Sequence, residues 1–578
     1  MSLISRLHHQ LESTPKDQYV EIRTSTSMEE LRRLANLENI PLERLKLVER
    51  LVDGEFGLLD MEENIFYKNA RDPERGFSTY GGTIMVFEDP EVKSYLVKNI
   101  GGESGITNNN YGVPGVKGVA GEVTYEQVLA CKKVDFFNNK KVRRFNELEY
   151  FRNLEILRFD GCSELEELSL PYMSLGGYAN SIIFCSKLRK ITTRYGLDVV
   201  GGGILRGNSR LSELDTSNWT FSGSNTERMF EGCSSLTRLD LRNIEMDNVT
   251  TALNMFYGCS SLRSLDTSKW NLGNLSNGNS MFYGCSSLQS LDTSKWNLGN
   301  LSNGQSMFYG CSSLQSLDTS KWNLGNLNTA ENMFRQTKIT TLDVKDWDLR
   351  KLTNAVYMFF QTPLISLDTS GWVLSSLSDA AQMFKNCSNL ITLGNTSRWG
   401  LEKLTNASAM FNGCSALQSL DTSGWILENV VSADLMFDTC MALTTLGDTS
   451  RWNLIRCTNM HNLLVYCNQL TKVDLTYTST PLVAVSNLTN VFLNIGNLES
   501  IVGDHTETDN VIVFNGYNST DINLNNLTSL NLASILAIIR GLGTNRSKRR
   551  FNTPNGFDNS RIPQEYKTML VNKNWELV

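Results

Sequence analysis

Met281-Phe-Tyr-Gly-Cys-Ser-Ser-Leu-Gln-Ser-Leu-Asp-Thr-Ser-Lys-Trp-Asn-Leu-Gly-Asn-Leu-Ser-Asn-Gly-Gln-Ser306 is one unit of a repeat, and the segments on either side of it read almost the same. The methionine recurs at Met229, Met255, Met307, Met333, Met358, Met383, Met410 and Met436, a period of 25 to 27 residues, which is the range of leucine-rich solenoids. Met281, Phe282, Leu288, Leu291, Trp296, Leu298 and Leu301 return one period later at Met307, Phe308, Leu314, Leu317, Trp322, Leu324 and Leu327. One coil cannot enclose these side chains. Stacking places each on its counterpart, and each buried large apolar side chain contributes roughly 1.5–3 kcal/mol.

Local signals complete the coil. Leu288–Thr293 has the spacing of a short strand, and Ser280 and Ser306 precede the Met-Phe pair as N-cap hydroxyls would, predicting a single turn or 3₁₀ piece there. Asn-Leu-Ser-Asn-Gly reads as a loop of turn residues. Thr337 and Thr362 replace the cysteine found at Cys233, Cys259, Cys285, Cys311, Cys387, Cys414 and Cys440, so the position asks for a small, buryable residue. Gly394 and Gly447 add one residue before Asn395 and Asp448, predicting a bulge in the two longer repeats.

The pattern Met-Phe-x-x-Cys-x-x-Leu-x-x-Leu-Asp-x-Ser-x-Trp resembles the BspA-like leucine-rich repeats of bacterial surface proteins over at least residues 229–470. Upstream, Val86-Phe-Glu-Asp-Pro-Glu-Val-Lys-Ser-Tyr-Leu, the loop 101–110 and Phe145-Asn-Glu-Leu-Glu-Tyr-Phe151 are similar to the lead-in of leucine-rich repeat proteins of gut-anaerobe bacteria: a short helix, an EF-hand-like loop and a Phe-x-Glu-Leu-x-Tyr-Phe segment. The loop departs from that pattern. Gly101-Gly-Glu-Ser-Gly-Ile-Thr-Asn108-Asn109-Asn110 lacks the acidic ladder that calcium needs, so calcium is not expected. The ending Lys573-Asn574-Trp575 is similar to the Lys-Gly-Trp endings of surface and phage proteins of the same bacteria, with Asn574 in place of glycine.

The expected fold is an α/β repeat: a leucine-rich-repeat solenoid of 25–27-residue coils with a helical N-terminal module and a small helical C-terminal cap. Residues 1–82 form the helical module, for docking or capping, and 83–150 the lead-in with its degenerate EF-hand-like loop. The solenoid spans 151–528, regular over 229–470, and 529–578 are the cap. In the first module a helix is expected through Leu37, opened by the capping box Ser27-Met-Glu-Glu30. A second is expected from Pro41 over Leu42, Leu45, Val48 and Leu51 to Gly54, and Tyr19-Val-Glu-Ile-Arg23 reads as a strand. In the cap, helices are expected over Leu530–Arg540 and after Pro563, with the basic cluster Asn545–Arg550 between them. The break Gly201-Gly-Gly203 reads as a turn, since no P-loop lysine follows.

Composition narrows the function. With 54 basic and 61 acidic residues, net charge -7, no overall positive field draws in nucleic acid. No apolar run is long enough to span a bilayer, and Met1–Gln10 lacks the apolar core of a secretion signal, so Sec export is not expected. The 12 cysteines, most at one repeat position and without a Cys-x-x-Cys pair, read as free buried thiols, with neither disulfides nor zinc expected.

His8, His9, His461 and His505 are scattered, and Asp266, Asp292, Asp318, Asp343 and Asp368 recur because each coil needs one to accept hydrogen bonds in its turn. No enzyme, catalytic residue, cofactor or metal site is expected. Before each tryptophan, a varying residue suggests exposure, and Lys269, Lys295, Lys321, Arg398 and Arg451 form the expected ligand-contact row. The opposing explanation is that copied coils copy their lysines.

These readings converge on a virion structural protein of a tailed phage, attached to other virion proteins through residues 1–82. Its solenoid would meet a host surface protein or glycan, with a homo-oligomer as a further expectation. A bacterial BspA-like cell-surface adhesin and a cytosolic protein-interaction scaffold are the rival readings.

Overall fold

The computed structural model describes residues 85–475 and 521–578 except 103, 107–109, 117, 177–179, 194–195, 242–243 and 455. Between 476 and 520 it describes 491, 495, 497–502 and 506, and of residues 1–84 the backbone of five strands. The chain forms two compact units: residues 1–198 with 207–218, and residues 199–206 with 219–578.

The first unit opens with a sheet where a helical module is expected. Strands β1 (Leu11–Ser13), β2 (Tyr19–Glu21), β3 (Leu45–Arg50), β4 (Phe56–Asp60) and β5 (Ile65–Lys68) pair antiparallel in the order β1-β5-β4-β3-β2. The strand at Tyr19 is as read; the helix from Pro41 to Gly54 is not. Leu45-Lys-Leu-Val-Glu-Arg and Phe56-Gly-Leu-Leu-Asp are short, rich in strand formers and separated by an Asp53-Gly54 pair, a hairpin signal that outweighs the 3.6-residue spacing of the leucines. The helix expected from Ser27 through Leu37 lies outside the described residues, and the helical spacing of Ser2–Glu12 gives way at its end to β1, which takes Leu11 and Glu12 as strand.

Helix α1 (Pro90–Asn99) is the expected short helix of the lead-in. The Asp89 carboxylate accepts from Glu91 N at its start and, through its other oxygen, from Arg143 N and Arg144 N at 2.7 and 3.1 Å, fastening helix to coil. Helix α2 (Tyr125–Ala130) is opened by a capping box of Thr124 and Gln127. Asn108 and Asn109 of the loop between lie outside the described residues.

The coils of this unit bring Arg144–Phe145, Glu167–Ser169, Lys190–Thr192 and Glu213–Leu214 together as one parallel sheet, with Arg144, Glu167, Lys190 and Glu213 in register. Charges alternate up this ladder. Glu167 meets Arg189 and, at 4.0 Å, Arg144; Lys190 meets Glu213 at 3.4 Å.

In the second unit Arg238–Leu239, Ser264–Leu265 and Ser290–Leu291 pair in parallel, and a bridge from Ser290 to Ser316 extends the row. A second row of bridges joins Asn225, Thr251, Asn277, Asn303, Thr329, Asn354, Asp379, Asn406, Ser432 and Asn459. Each regular coil is thus fastened to its neighbours in parallel at fixed register, which is the solenoid the repeat implies.

Of the single turn or 3₁₀ piece expected at the Met-Phe segment, the structure has turns. Met281 N, Tyr283 N and Cys285 N donate to the carbonyls three residues back, making overlapping β-turns, while Gly278 N, Ser280 N, Phe282 N and Gly284 N donate to the next coil. Successive amides alternate between their own coil and its neighbour. This needs a left-handed residue at two places per coil: Ser280 and Gly284 (φ 54° and 70°), Ser306 and Gly310, Asn254 and Gly258, and their equivalents. Ser280 and Ser306 are therefore turn residues with positive φ, not N-caps.

The core is a set of columns. Phe230, Phe256, Phe282, Phe308, Phe334, Phe359, Phe384, Phe411 and Phe437 stack with ring centres 5.2–5.7 Å apart. Trp270, Trp296, Trp322, Trp347, Trp372, Trp399 and Trp425 stack at 5.5–6.3 Å.

All twelve cysteines are free and buried, and their repeat position requires more than small size. Cys259, Cys285, Cys311, Cys387, Cys414, Cys440 and Cys467 each donate from Sγ to a phenylalanine carbonyl of the preceding coil at 3.0–3.2 Å. Thr362 makes the same bond at 3.0 Å through its hydroxyl; Thr337 turns to Phe334 O of its own coil instead. The position wants a compact donor. The added Gly394 and Gly447 are left-handed (φ 69° and 70°), the extra residue of a bulge.

The C-terminal cap is α/β, not only helical. Helices α3 (Leu532–Gly541) and α4 (Gln564–Asn572) accompany a parallel sheet of Ile522–Asn523, Arg549–Asn552 and Trp575–Leu577. Part of the basic cluster is thus a strand, and Lys548 pairs with Glu576 at 3.3 Å.

Candidate functional site

The Asn-Leu-Ser-Asn loops, which read as plain turns, line a trough of about 590 Å³. It is lined by Asn274, Asn300, Asn326 and Asn328, by Thr250, Ser276 and Ser302, and by Lys351 of the last coil. The repeat dictates the geometry. Each asparagine Nδ2 donates one coil back, Asn274 to Asp247 O, Asn300 to Gly273 O and Asn326 to Gly299 O, at 2.6–2.7 Å. Each hydroxyl does likewise: Thr250 to Ser224 O, Ser276 to Thr250 O and Ser302 to Ser276 O, at 3.0–3.2 Å.

The chemical consequence is directional. Hydroxyl protons are engaged within the protein, so the lining hydroxyls offer lone pairs, and the carboxamide oxygens of Asn274 and Asn300 add acceptors. Asn326 Oδ1 instead accepts from Lys351 Nζ at 2.6 Å. Adjacent coils repeat at about 4.8 Å, the spacing of neighbouring strands. The trough is a lattice of acceptors with a cation at one end.

A second surface carries Tyr257, Tyr283 and Tyr309, one per coil. Tyr257 and Tyr283 stack at 4.5 Å and Tyr283 meets Tyr309 edge-on at 4.7 Å, so the rings cover one another along the coil axis. Burial raises the Tyr283 phenol above its usual range, with neighbouring tyrosines adding to the effect. The row ends in Arg335, beside a chain of amides in which Asn279 Nδ2 donates to Gln305 Oε1 and Gln305 Nε2 to Glu331 Oε2, at 3.2 and 3.1 Å.

The expected contact row is exposed throughout at Lys269, Lys295, Lys321, Arg398 and Arg451. The three lysines occupy successive coils; Asp346 and Gly371 interrupt the row before Arg398, and Gly424 separates Arg398 from Arg451. None lines the trough. At Gly371 and Gly424 an added Cβ would fall 1.9 and 1.7 Å from the preceding coil's Lys345 O and Ser397 O, so close backbone approach sets those residues.

The aspartate ladder has the structural part expected of it. Asp266, Asp292 and Asp318 accept from both the amide and the hydroxyl of Ser268, Ser294 and Ser320. The Ser320 hydroxyl, its amide and then Lys321 hold the Asp318 carboxyl below its usual range. The lysine row therefore carries an offsetting row of carboxylates.

His461 lies in a late coil, while His8, His9 and His505 lie outside the described residues. Among the described residues no cluster of three or more His, Cys, Asp or Glu could hold a metal ion, and no helix is long and apolar enough to cross a membrane.

Parallel register, stacked cores and self-repeating polar surfaces define a leucine-rich-repeat-like solenoid, a class that presents long surfaces to partners. The family model described as "Mycoplasma protein of unknown function, DUF285" matches residues 205–293, 289–394, 364–477 and 389–505, together more than half of the chain, and the chain belongs to that family. No curated protein matches it.

Among solved structures, it is similar to a leucine-rich cell surface protein of Faecalibacterium prausnitzii A2-165, at 11% identity and TM-score 0.24 over 65% of this chain and 84% of that one. A Leptospira interrogans LRR protein is 12% identical, TM-score 0.18, over 78% and 97%. A chain of the Drosophila Toll–Spatzle complex is 13% identical, TM-score 0.18, over 74% and 59%. The solenoid assignment rests on the chain's own register, not on these likenesses.

Proposed function

We propose that this is a non-catalytic binding protein whose regular coils hold an extended, hydroxyl-rich polymer, a glycan, along the trough of Asn274, Ser276, Asn300 and Ser302. The observation that supports this most is the engagement of the Thr250, Ser276 and Ser302 hydroxyl protons inside the protein, which leaves their lone pairs as acceptors in the trough lining. Sugar hydroxyls donate freely and suit such a lattice; a peptide backbone brings as many carbonyls as amides, and Lys351 disfavours a cationic ligand.

Binding of full-length protein to an oligosaccharide array tests the reading. Linear oligosaccharides are expected to be retained, and Ser302→Tyr, which fills the trough, to abolish retention with the tryptophan-fluorescence melt unchanged. No retention, or equal retention by the variant, would contradict it. As to setting, display on a phage particle, with residues 1–82 against other virion proteins, and display on a bacterial cell use the solenoid in the same way. Peptide mass spectrometry of purified particles against host envelope separates them: peptides from both ends of the chain in particles support the virion, and their confinement to the envelope overturns it.

A further inference from the structure

The trough does not repeat to its end. Lys351 stands where the coils before it place Asn274, Asn300 and Asn326, and Asn328 stands where they place Thr250, Ser276 and Ser302. These two replacements reverse what the lining offers. Lys351 Nζ gives one proton to Asn326 Oδ1 at 2.6 Å, and the Thr353 hydroxyl donates to Asn328 Oδ1, so both carboxamide oxygens of that coil are taken. Donors remain there: the other N–H groups of Lys351 Nζ, and Asn328 Nδ2, which has no acceptor among the described residues.

The coils before it are the opposite. In Asn274 and Asn300 the Nδ2 is engaged and Oδ1 is open, and in Ser276 and Ser302 the hydroxyl proton is engaged. Acceptors thus line the trough from Thr250 to Ser302, and donors with a positive charge follow at the next coil, about 4.8 Å on. The charge is not neutralised. No carboxylate among the described residues lies within ion-pair distance of Lys351, and the acid nearest in sequence, Asp348, is held by Arg350 at 2.6 Å.

Such a lining distinguishes the two ends of a ligand. Sugar hydroxyls donate to its first part, whereas its last part suits a group that only accepts and is negative, which a carboxylate is. We propose that the trough holds its glycan in one direction, with neutral sugars along Asn274 to Ser302 and a carboxylate-bearing sugar at Lys351. This rests on the glycan reading above.

The probe is the linear oligosaccharide that the array retains most strongly, prepared in three forms: neutral, oxidised to an aldonate at the reducing end, and oxidised to a uronate at C6 of the non-reducing end. Full-length protein should bind one of the two acids about fivefold more tightly than the neutral form at low salt, and the other acid no more tightly than the neutral form. The advantage should shrink in about 1 M salt. The ratio of acid to neutral affinity, taken within each protein, should fall to one in Lys351→Met and persist in Lys351→Arg.

Equal affinity for the three forms would overturn the inference and leave the glycan reading standing. An equal gain by both acids would overturn it as well, since charge then acts without direction. A gain that survives Lys351→Met, or is lost in Lys351→Arg with the fluorescence melt unchanged, would overturn the assignment to the Lys351 charge. An array that retains no linear oligosaccharide removes both readings.

Discussion

The two units stack coils by opposite means. In the first, coils step from Arg144 to Glu167 to Lys190 to Glu213, and facing side chains attract because each coil differs from the next. In the second, the coils from Met255 to Leu327 are near copies, so most of their side chains face their own kind. A charge facing its own copy repels, whereas an aromatic ring stacks on its copy and an asparagine, serine or cysteine can donate to the backbone of the coil before. Copying therefore selects residues that stack on their copies, as the phenylalanines and tryptophans do, or that donate to a backbone carbonyl of the preceding coil, as Asn300 and Asn326 do to Gly273 O and Gly299 O and Cys285 and Cys311 to Phe256 O and Phe282 O. Lys269, Lys295 and Lys321 are copied charges, and each coil brings an aspartate three residues earlier with them.

This contrast can be broken experimentally, and all ten tryptophans lie in the second unit, so their fluorescence reports on it. The largest effect is expected from Phe308→Ala, which opens the phenylalanine column and should cost about 3–5 kcal/mol, read as a lower fluorescence midpoint in denaturant. Next, Glu167→Lys puts a third cation between Arg144 and Arg189. It should cost about 1–2 kcal/mol, seen as faster hydrogen exchange over residues 144–214, and added salt should narrow the loss, whereas Phe308→Ala should not respond to salt.

A smaller difference separates two copies of one position. Trp425 Nε1 donates to Thr396 O at 3.0 Å, while Trp296 Nε1 is buried without a partner among the described residues. Trp425→Phe should therefore cost about 1 kcal/mol more than Trp296→Phe in denaturant titration. Cys285→Ala, which leaves Phe256 O with the Cys259 amide as its one donor, should likewise cost more than Cys285→Ser.

Smallest is the pH effect. The carboxyls of Asp318, Asp368 and Asp448 are held low, chiefly by serine hydroxyls. Their contribution is present above the ordinary aspartate pKa of about 3.9 and lost as pH falls through the lowered folded values. The melt should be flat from about pH 5 to 8 as far as these groups act, and Asp318→Asn should reduce the acid-side slope by a few tenths of a kcal/mol at most, given the group's exposure.

The solenoid was legible because Met281, Phe282, Cys285, Leu288 and Trp296 recur at one period and have no other way to be buried. The left-handed turns were not, since Ser280 before an apolar pair looks the same whether it caps a helix or bends a turn. The N-terminal sheet was missed because Leu45, Val48 and Leu51 fit a helix while Leu45, Leu47 and Glu49 fit a strand, and strand pairing decides between them. The trough was hidden for another reason: Asn274 and Ser276 are ordinary turn residues in one coil and become a lattice only when copied in register. The surroundings of Arg335 were hidden too, since the rings around it come from the two flanking coils, Tyr309 from one and Tyr357 with Phe360 from the other.

The central claim is that copying built a ligand surface in the second unit. It is tested most directly by hydrogen–deuterium exchange of full-length protein with and without the linear oligosaccharide that the array retains most strongly. The account predicts new protection concentrated in residues 250–351, with residues 85–198 unchanged. Protection confined to residues 85–198, or to the exposed row at Lys269, Lys295 and Lys321 with the trough unaltered, would contradict it.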